Sequence, residues 1–415
     1  MVDNPKYYLG LDLSTQQLKA AVIETVCDRR SSAESYPPPL VKTLIVCEEN
    51  VIFDRLGFGT TSGVYCKGPY TVVAPTRMWI VALDMLLNKL RSKVDLSRVL
   101  CIGGCAQQHG TVYWGDAAKL REMSPLRSLQ ENLEGAFTVL DSPIWMDSST
   151  TRECRAMEAA VGGAQRLAQL TGSRAYERFS GPQIARIARQ LPCQYQRTQR
   201  ISLVSSFLSS IFIGDIAPID VSDASGMNLM DVRTNSWSYT CVRACFAQNP
   251  PEKRDEAARD LLNKLGNAAG LIPSGADLGS VSKYMQSRFG FGAHCHVAAF
   301  TEKNQPGLLQ GHLMVNPLDP TRLMMMLCFK NGSLMRDNIV KELAEDHWAR
   351  FNELLGFTPP GNLGKVGVYY DYPEILPERH GRYRFDVSGP EPILVERPFA
   401  PEEEVRALIE GLYPP

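Results

Sequence analysis

The sequence predicts an α/β protein with two domains, and three features of the chain support that prediction. Short apolar strand patterns occur at residues 7–13 and 99–106. Between them, apolar residues recur at helical spacing from Met78 to Leu90, after Pro75 and Thr76. The length of 415 residues is enough for two domains with a sizeable buried core.

The composition is that of a globular protein without a charge bias. The 44 Lys and Arg residues nearly balance the 45 Asp and Glu residues, so no basic excess favours nucleic acid or an anionic membrane surface. No apolar run reaches the roughly 18 residues of a membrane helix, and the polar first residues predict no secretory signal. The 11 cysteines include no Cys-x-x-Cys pair, which favours a reducing, cytoplasmic location.

Further elements follow from the same patterns. Residues 41–65 predict several short strands, and residues 149–171 predict a helix interrupted at Gly162 and Gly163. The apolar segment 201–213 predicts a buried or amphipathic helix, despite its serines. Residues 297–300 predict a strand that opens a second domain, and residues 332–345 predict a helix.

Asp12, Ser14 and Thr15 form a polar turn after the first strand. A carboxylate at a strand end can order the water shell of Mg²⁺, while hydroxyls and backbone N–H groups contact phosphate oxygens. The same residue types are common in ordinary hairpin turns, so this segment alone leaves a phosphate site and a simple turn as alternatives.

Gln107, Gln108 and His109 follow the strand at 99–106 and precede Gly110. Ligand sites in α/β domains favour the C-terminal ends of strands. Three polar side chains at that place can offer several donors and acceptors to a polyol. A solvated loop is the alternative interpretation.

Two later segments also contain residue types found in sugar sites. Trp145 and Asp147 precede a predicted helix, where the carboxylate can contact a sugar or cap the helix. In the segment that starts at Arg174 and contains Arg178, an arginine can bind a hydroxyl or a phosphate with two hydrogen bonds. A weak surface ion pair with Glu177 or a neighbour is the alternative.

In their order along the chain, these segments resemble the FGGY carbohydrate kinases, and within them the eukaryotic xylulokinases. The segments are Asp-Leu-Ser-Thr at 12–15, Gln-Gln-His-Gly at 107–110, Trp-Met-Asp-Ser-Ser-Thr at 145–150 and Tyr-Glu-Arg-Phe at 176–179. Residues 205–212, 223–229 and 328–333 match the same pattern. The resemblance spans nearly the whole chain, with gaps.

The resemblance implies two actin-like, ribonuclease-H-like domains with a cleft between them. It assigns residues 1–293 to an N-terminal sugar-binding domain and residues 294–415 to a C-terminal ATP-binding domain. It implies transfer of the γ-phosphoryl group of MgATP to the terminal hydroxyl of D-xylulose. ATP and Mg²⁺ are then the cofactors, with no metal beyond the Mg²⁺ carried by ATP, and the partners are this sugar and ATP.

The resemblance also assigns roles on the sugar side of the site. His109 and Arg178 are expected to contact the sugar. Gln108 and Asp147 are expected to line the same side.

On the nucleotide side, Asp12 is expected near the magnesium ion and the phosphates, with Ser14 and Thr15 beside it. Trp348 matches a tryptophan that contacts the nucleotide in the family. A core tryptophan on an amphipathic helix is the alternative for that position.

The sequence departs from the family after Thr301. The family continues from this strand with Gly-Asp-Asn, whose Asp is the general base, and with a Gly-Thr-Ser turn that contacts phosphate. Here Glu302 and Lys303 follow, and the segment from Glu302 resembles later residues of the family, so no catalytic base is assigned. No match to the family's Gly-Gly-Ala-Ser adenine loop follows residues 405–411, and the second domain is expected to be incomplete.

The chain is therefore expected to be a xylulokinase-type sugar kinase with impaired phosphoryl transfer. The alternatives are a catalytically inactive sugar-binding protein and a mis-spliced gene product. Missing strands and helices expose apolar surface and sheet edges, so we expect the second domain to fold poorly or to associate with a partner that covers it.

Overall fold

The computed structural model describes residues 6–27, 41–266, 270–302, 307–308, 311–315, 323–326, 332–357, 359, 362, 365–370, 381–386 and 393–396. The chain divides into two compact units, Met1–Met325 and Met326–Pro415.

The strands are β1 Tyr7–Leu13, β2 Gln17–Cys27, β3 Val41–Ile52, β4 Tyr65–Cys66, β5 Val72–Pro75, β6 Val99–Ala106, β7 Thr111–Trp114, β8 Phe137–Val139, β9 Asp141–Pro143, β10 Arg200–Leu203, β11 Met230–Asp231, β12 Ser236–Trp237, β13 Asp277–Ser280, β14 His296–Ala298, β15 Thr301–Glu302, β16 Gly307–Leu308, β17 Gly311–Val315, β18 Leu323–Met326, β19 Lys365–Tyr370, β20 Gly381–Asp386 and β21 Ile393–Glu396. The α-helices are α1 Thr76–Arg91, α2 Leu129–Asn132, α3 Thr151–Val161, α4 Ala164–Thr171, α5 Ser180–Gln190, α6 Pro192–Arg197, α7 Val204–Ile213, α8 Val221–Ser225, α9 Tyr239–Ala244, α10 Arg254–Leu265, α11 Lys283–Phe289, α12 Gly332–Ala344 and α13 Trp348–Gly356.

A seven-stranded sheet forms the centre of the first unit, in the order β13-β14-β6-β1-β2-β3, with β15 also paired to β6. Strand β1 runs parallel to β6 and antiparallel to β2. Alternate residues of β1 are buried from Tyr7 to Leu13, which places Asp12 on the other face. Gly104 lets β6 approach β1 closely, because a Cβ there would lie 2.3 Å from the carbonyl oxygen of Leu11.

Helices α1 and α7 pack on this sheet: α1 contacts β2 and β3, and α7 contacts β6, β14 and β15. The ring centroids of Trp79 in α1 and Phe207 in α7 lie 6.2 Å apart. Helix α7 is buried along nearly its whole length, and the Ser210 hydroxyl donates to the Ser206 carbonyl at 2.6 Å. Ser206 and Ser209 likewise donate to nearby carbonyls of the chain, and these local bonds let a serine-rich segment lie in a core.

The predicted helix over residues 201–213 is wrong at its start. Residues 201–203 belong to β10, which pairs antiparallel with β7, and the helix begins at Val204. Backbone hydrogen bonds to β7 satisfy this segment as a strand, and that pairing spans a long separation in sequence.

Residues 41–65 also differ from prediction. Residues 41–52 form the single strand β3, which pairs with β2 along its length. A short 3-10 helix at Phe53–Leu56 follows, and only β4 resembles the predicted short strands.

Helices α3 to α6 and α8 to α10 surround a second apolar core in the first unit. The predicted break at Gly162 and Gly163 is confirmed, since their φ angles of 98° and 112° separate α3 from α4.

The strand predicted at residues 297–300 lies in the sheet of the first unit. Val297 of β14 stands opposite Ile102 of β6 in a parallel pair, and Val297 and Phe300 are buried in the apolar core that surrounds the seven-stranded sheet. This strand therefore belongs to the first unit and does not open a second domain. The assignment of residues 1–293 to sugar binding and 294–415 to ATP binding stays a prediction.

The second unit contains α12, α13 and an antiparallel sheet in the order β19-β20-β21. The predicted helix at 332–345 is confirmed as α12. Residues 328–331 and 405–411, both noted in the sequence, lie outside the described residues. Across the part of the chain that is described, no helix has the length and apolar character that a bilayer crossing requires.

Candidate active site

Asp12, Ser14 and Thr15 lie where β1 ends. The Ser14 hydroxyl donates to Asp12 Oδ1 at 2.8 Å, and the Ser14 N–H donates to the Gln17 carbonyl at 3.0 Å, which closes the turn. Trp145 Nε1 donates to Thr15 Oγ1 at 2.9 Å. The turn therefore presents a half-buried carboxylate and hydroxyl groups together, and it contacts the segment that contains Trp145 and Asp147.

The residues after β6 leave the sheet beside this turn. In the parallel pair of β1 and β6, Asp12 stands opposite Cys105 and Leu13 opposite Ala106. The Gln107 N–H donates to the Leu13 carbonyl at 2.8 Å and extends the pairing by one residue. The two polar segments predicted at strand ends thus share one edge of the sheet, where α/β proteins bind ligands.

His109 is buried and has a backbone φ of 60°, in the left-handed region that non-glycine residues seldom adopt. Its carbonyl accepts a hydrogen bond from Ser180 Oγ at 2.9 Å. Its ring centroid lies 4.6 Å from that of Phe179. The strained turn therefore holds the imidazole against the start of α5.

Arg178 is also buried, with 4% of its surface exposed. Its guanidinium carbon lies 5.7 Å from the ring centroid of Phe179 and 5.6 Å from that of Tyr176. This burial disfavours a surface location for Arg178, whereas the exposed Arg174 forms a surface ion pair with Glu158. His109 and Arg178, more than 60 residues apart in sequence, thus meet at the same phenyl ring.

Tyr176 adds a hydroxyl to this cluster. Burial raises the pKa of Tyr176 to about 12, so the phenol stays protonated at neutral pH and can act as a hydrogen-bond donor.

Asp147 lies among protein donors. Its Oδ1 accepts from the Ser149 N–H at 2.9 Å and from Gln183 Nε2 at 2.8 Å, and its Oδ2 accepts from the Val72 N–H at 3.1 Å. The guanidinium of Arg186 lies 3.4 Å from Oδ2. These contacts engage both oxygens and favour the structural alternative for Asp147, in which it holds the turn before α3. Its predicted place on the sugar side stays a prediction.

Gln107 was named in the sequence with Gln108 and His109, but the family resemblance gave a sugar-side role only to Gln108 and His109. Gln107 is 4% exposed, and among the described residues neither its amide nitrogen nor its amide oxygen has a hydrogen-bond partner. Gln108 is only half-buried. A buried, unbonded amide is costly, so its presence beside the site indicates that a ligand or water completes its bonding. Its burial depends on the path of the chain after β6, which the sequence pattern does not contain.

Asp220 and Asp223 form a buried acid pair that the sequence analysis also missed. Thr301 Oγ1 lies 3.4 Å from Asp220 Oδ1 and 3.3 Å from Asp223 Oδ1. The Ser274 hydroxyl donates to Asp220 at 2.6 Å, and Ser205 donates to Asp223. Burial raises the pKa of Asp220. The pair therefore anchors β15 where it runs beside the end of β6.

Trp348 is the first residue of α13, in the second unit. It is 47% exposed, and its ring centroid lies 5.6 Å from that of Phe351. This exposure excludes the alternative of a core tryptophan. The predicted contact with the nucleotide stays a prediction.

Comparison with known proteins places this geometry in a family. Residues 138–252 match the N-terminal domain of the FGGY family of carbohydrate kinases. Xylulose kinase of Mus musculus is 40% identical over 441 residues, which cover 98% of this chain and 74% of that protein. Xylulose kinase 2 of Arabidopsis thaliana is 39% identical over 450 residues, with 98% and 75% covered.

Two solved structures have a similar fold. Xylulose kinase from Rhodospirillum rubrum has a TM-score of 0.64 at 14% identity, and the match covers 98% of this chain and 76% of that one. Gluconate kinase from Lactobacillus acidophilus has a TM-score of 0.62 at 12% identity, with 99% and 76% covered. These similarities confirm the predicted α/β fold of actin-like, ribonuclease-H-like type.

The alignment with the mouse protein is longer than this chain of 415 residues. The mouse protein therefore has residues within the aligned span that have no counterpart here.

Proposed function

The chain belongs to the FGGY family of carbohydrate kinases and is a sugar kinase of the xylulokinase type, and from this we propose that it binds D-xylulose through His109 and Arg178. As a member of this family it is a phosphotransferase, and these kinases use ATP. The acceptor group that we propose is the terminal hydroxyl of D-xylulose.

One observation supports the sugar site above all: His109 and Arg178 are both buried against Phe179. A guanidinium offers several donors in a fixed plane, and an imidazole offers a donor and an acceptor, so together they can bind neighbouring hydroxyls of a polyol. Gln107 and the Tyr176 hydroxyl supply further polar groups. We propose these residues, with Gln108 at the rim, as the sugar-binding side.

We propose that the phosphates of ATP, with the Mg²⁺ they carry, lie at the turn of Asp12, Ser14 and Thr15. The residues present fit this group: Mg²⁺ in nucleotide sites takes one or two carboxylates together with phosphate oxygens, and Asp12 is a half-buried carboxylate at a strand end. Within the described ranges, no cluster of three or more ligating side chains offers a separate metal site. Bound there, Mg²⁺ would neutralise charge on the phosphates. Trp348 is proposed to contact the nucleotide.

Transfer by this chain is proposed to be slow. Thr301 is followed by Glu302 and Lys303, where the family has the Gly-Asp-Asn that supplies its general base. Loss of a general base typically costs about 10²–10⁴-fold in rate. The longer alignment of the mouse protein supports a missing segment. The same observation favours a second candidate function, a sugar-binding protein that does not transfer phosphate.

We propose the cytosol as the location, because the cysteines that the structure describes are free thiols.

Two measurements on this chain test the proposal. Isothermal titration calorimetry with D-xylulose is expected to show binding, while coupled ADP release with ATP, Mg²⁺ and D-xylulose is expected to be at least about 100-fold slower than for the mouse xylulose kinase. No heat of binding with D-xylulose would overturn the sugar site. Equal rates of ADP release would overturn the loss of the base, and binding without any ADP release would favour the second candidate.

A further inference from the structure

A cavity separate from the candidate active site lies in the first unit, among the helices that surround the second core. Its volume is about 450 Å³, within the range of pockets for small organic ligands. Helices α3, α5, α6 and α10 supply much of its wall, and none of its lining residues belongs to the sugar or phosphate side of the candidate active site. The proposed kinase reaction therefore leaves this cavity without a role.

Buried polar and aromatic side chains build one part of the wall. Lys264 is 6% exposed, donates to Asp260 Oδ1 at 2.6 Å, and lies 5.0 Å from the ring centroid of Tyr195. Glu153 is 4% exposed and accepts from Arg189 Nε at 2.8 Å. These contacts between protein groups hold this part of the wall in place.

The charges that remain favour an anion. Four basic and three acidic side chains line the cavity. After the pairs Lys264–Asp260 and Glu153–Arg189, the residues left are Arg152, Lys253 and Glu256. None of these three has an ion pair within the described part of the chain. All three side chains are exposed, and the two cations outnumber the single unpaired carboxylate. An anionic ligand group can therefore gain contacts to Arg152 and Lys253 without displacing an existing pair.

Apart from the amides of Gln196, Gln248 and Asn249, the rest of the wall is mostly apolar. Ala185, Ala188, Pro192 and Phe246 line it, and the Phe246 ring centroid lies 6.4 Å from that of Tyr195. A ring or other apolar body fits this surface. We propose that the cavity binds a small organic anion, with its apolar body on this wall and its charged group toward Arg152 and Lys253.

Two helices that line the cavity, α5 and α3, also have hydrogen bonds at their first residues to segments on the sugar side of the candidate site. Helix α5, which carries Ala188, begins at Ser180, whose hydroxyl donates to the His109 carbonyl at 2.9 Å. At the start of α3, Thr150 Oγ1 donates to the Glu177 carbonyl at 2.6 Å. We infer that an anion in the cavity changes the affinity of the chain for D-xylulose, and that D-xylulose changes the affinity for the anion by the same factor. This inference rests on the proposed function.

Phenyl phosphate is the probe that tests the binding proposal, because it joins a ring to an anionic group. Calorimetry on the whole chain is expected to show binding at least about tenfold tighter than for inorganic phosphate or benzyl alcohol, which each offer one of the two features. The Arg152→Ala/Lys253→Ala double variant is expected to bind phenyl phosphate about tenfold more weakly. Arg155→Ala is the control, because Arg155 lies in α3 like Arg152 and is exposed, but does not line the cavity. This variant is expected to bind phenyl phosphate like the parent.

Ala188→Trp fills the cavity and is expected to abolish phenyl phosphate binding. Unchanged binding in this variant and in the double variant would place the probe elsewhere and overturn the proposal, as would absence of binding to the parent. These readouts need neither D-xylulose nor phosphoryl transfer, so they stand if the kinase proposal fails. If phenyl phosphate binds in the cavity while the Kd for D-xylulose stays the same, the coupling is overturned.

Discussion

The imidazole of His109 lies against the phenyl ring of Phe179, with their centroids 4.6 Å apart. The same ring lies 5.7 Å from the guanidinium carbon of Arg178. One aromatic side chain at the start of α5 therefore sets the distance between two polar groups that come from separate parts of the chain. Sugar recognition should depend on both groups, and on the helix that positions them.

Replacement of Arg178 by alanine is expected to weaken D-xylulose binding by about tenfold or more, because hydrogen bonds from a charged donor contribute about 1.5–3 kcal/mol. Calorimetry gives the Kd directly. Arg174→Ala is the matched control: this arginine is exposed and paired with Glu158, and its loss should change the Kd by less than about threefold. Equal effects of the two substitutions would contradict a sugar contact at Arg178.

Replacement of Gln107 by leucine is expected to move stability and sugar affinity in opposite directions. The buried amide has no hydrogen-bond partner in the described part of the chain, so an apolar side chain should raise the free energy of unfolding by about 1 kcal/mol, while D-xylulose binds more weakly. Denaturant unfolding and calorimetry measure the two effects.

Gln183→Leu provides the control for Gln107. The amide of Gln183 donates to Asp147 and accepts from Arg186, so the same substitution there should lower the free energy of unfolding by about 1–3 kcal/mol. A loss of stability in Gln107→Leu with unchanged sugar affinity would show that Gln107 has only a structural role.

Asp147→Ala is expected to destabilise the protein by about 3–5 kcal/mol, because it leaves the buried guanidinium of Arg186 without its acid. Urea unfolding checks the value. Asp215→Ala breaks an exposed pair with Arg121 and should cost no more than about 1 kcal/mol. If the Asp147→Ala protein is as stable as the parent but no longer binds D-xylulose, the result would support a sugar contact at Asp147.

The buried acid Asp220 predicts a specific dependence of stability on pH. Its pKa is raised by burial, so the native state holds the proton more tightly than the unfolded chain does. Its contribution to the free energy of unfolding therefore falls as the pH rises above the unfolded value of about 4. Asp220→Asn keeps an oxygen acceptor for Ser274 and removes this titration. The variant should gain stability relative to the parent between pH 4 and pH 7.

Asp231→Asn should show the opposite trend, since a hydrogen bond from Arg233 lowers the pKa of Asp231. Loss of that charge removes stability that is present above the unfolded pKa, so this variant should lose stability relative to the parent as the pH rises. Chemical unfolding at several pH values measures both trends. A difference between Asp220→Asn and the parent that does not change with pH would contradict the raised pKa.

Local patterns in the sequence were enough to predict the elements with strong periodicity. Strand β6 was predicted at its observed bounds, and the apolar stripe from Met78 to Leu90 identified α1. Residues 201–203 were predicted as helix because their partner strand β7 lies far away in sequence. Strand pairing of this kind does not appear in a local pattern.

The candidate site likewise contains residues that the sequence identified and residues that it did not. Family motifs identified His109 and Arg178, whose burial against one ring fits the proposed sugar contact. They assigned no role to Gln107 and did not identify the acid pair of Asp220 and Asp223, because burial and missing hydrogen bonds arise only after distant segments come together. The cavity lined by Arg152 and Lys253 arises in the same way, from segments between residues 152 and 264.

Three parallel strands, β15, β6 and β1, place Thr301, Cys105 and Asp12 opposite one another. This arrangement has a practical consequence for protein engineering. A peptide grafted directly after Thr301 would emerge at the same rim as the Asp12 turn, with β15 already anchored by the two acids beneath it. The first unit is therefore a recipient for transplanted stretches that contain Gly-Asp-Asn. Activity gained by such chimaeras would measure how much of a phosphotransferase can be restored by adding one loop.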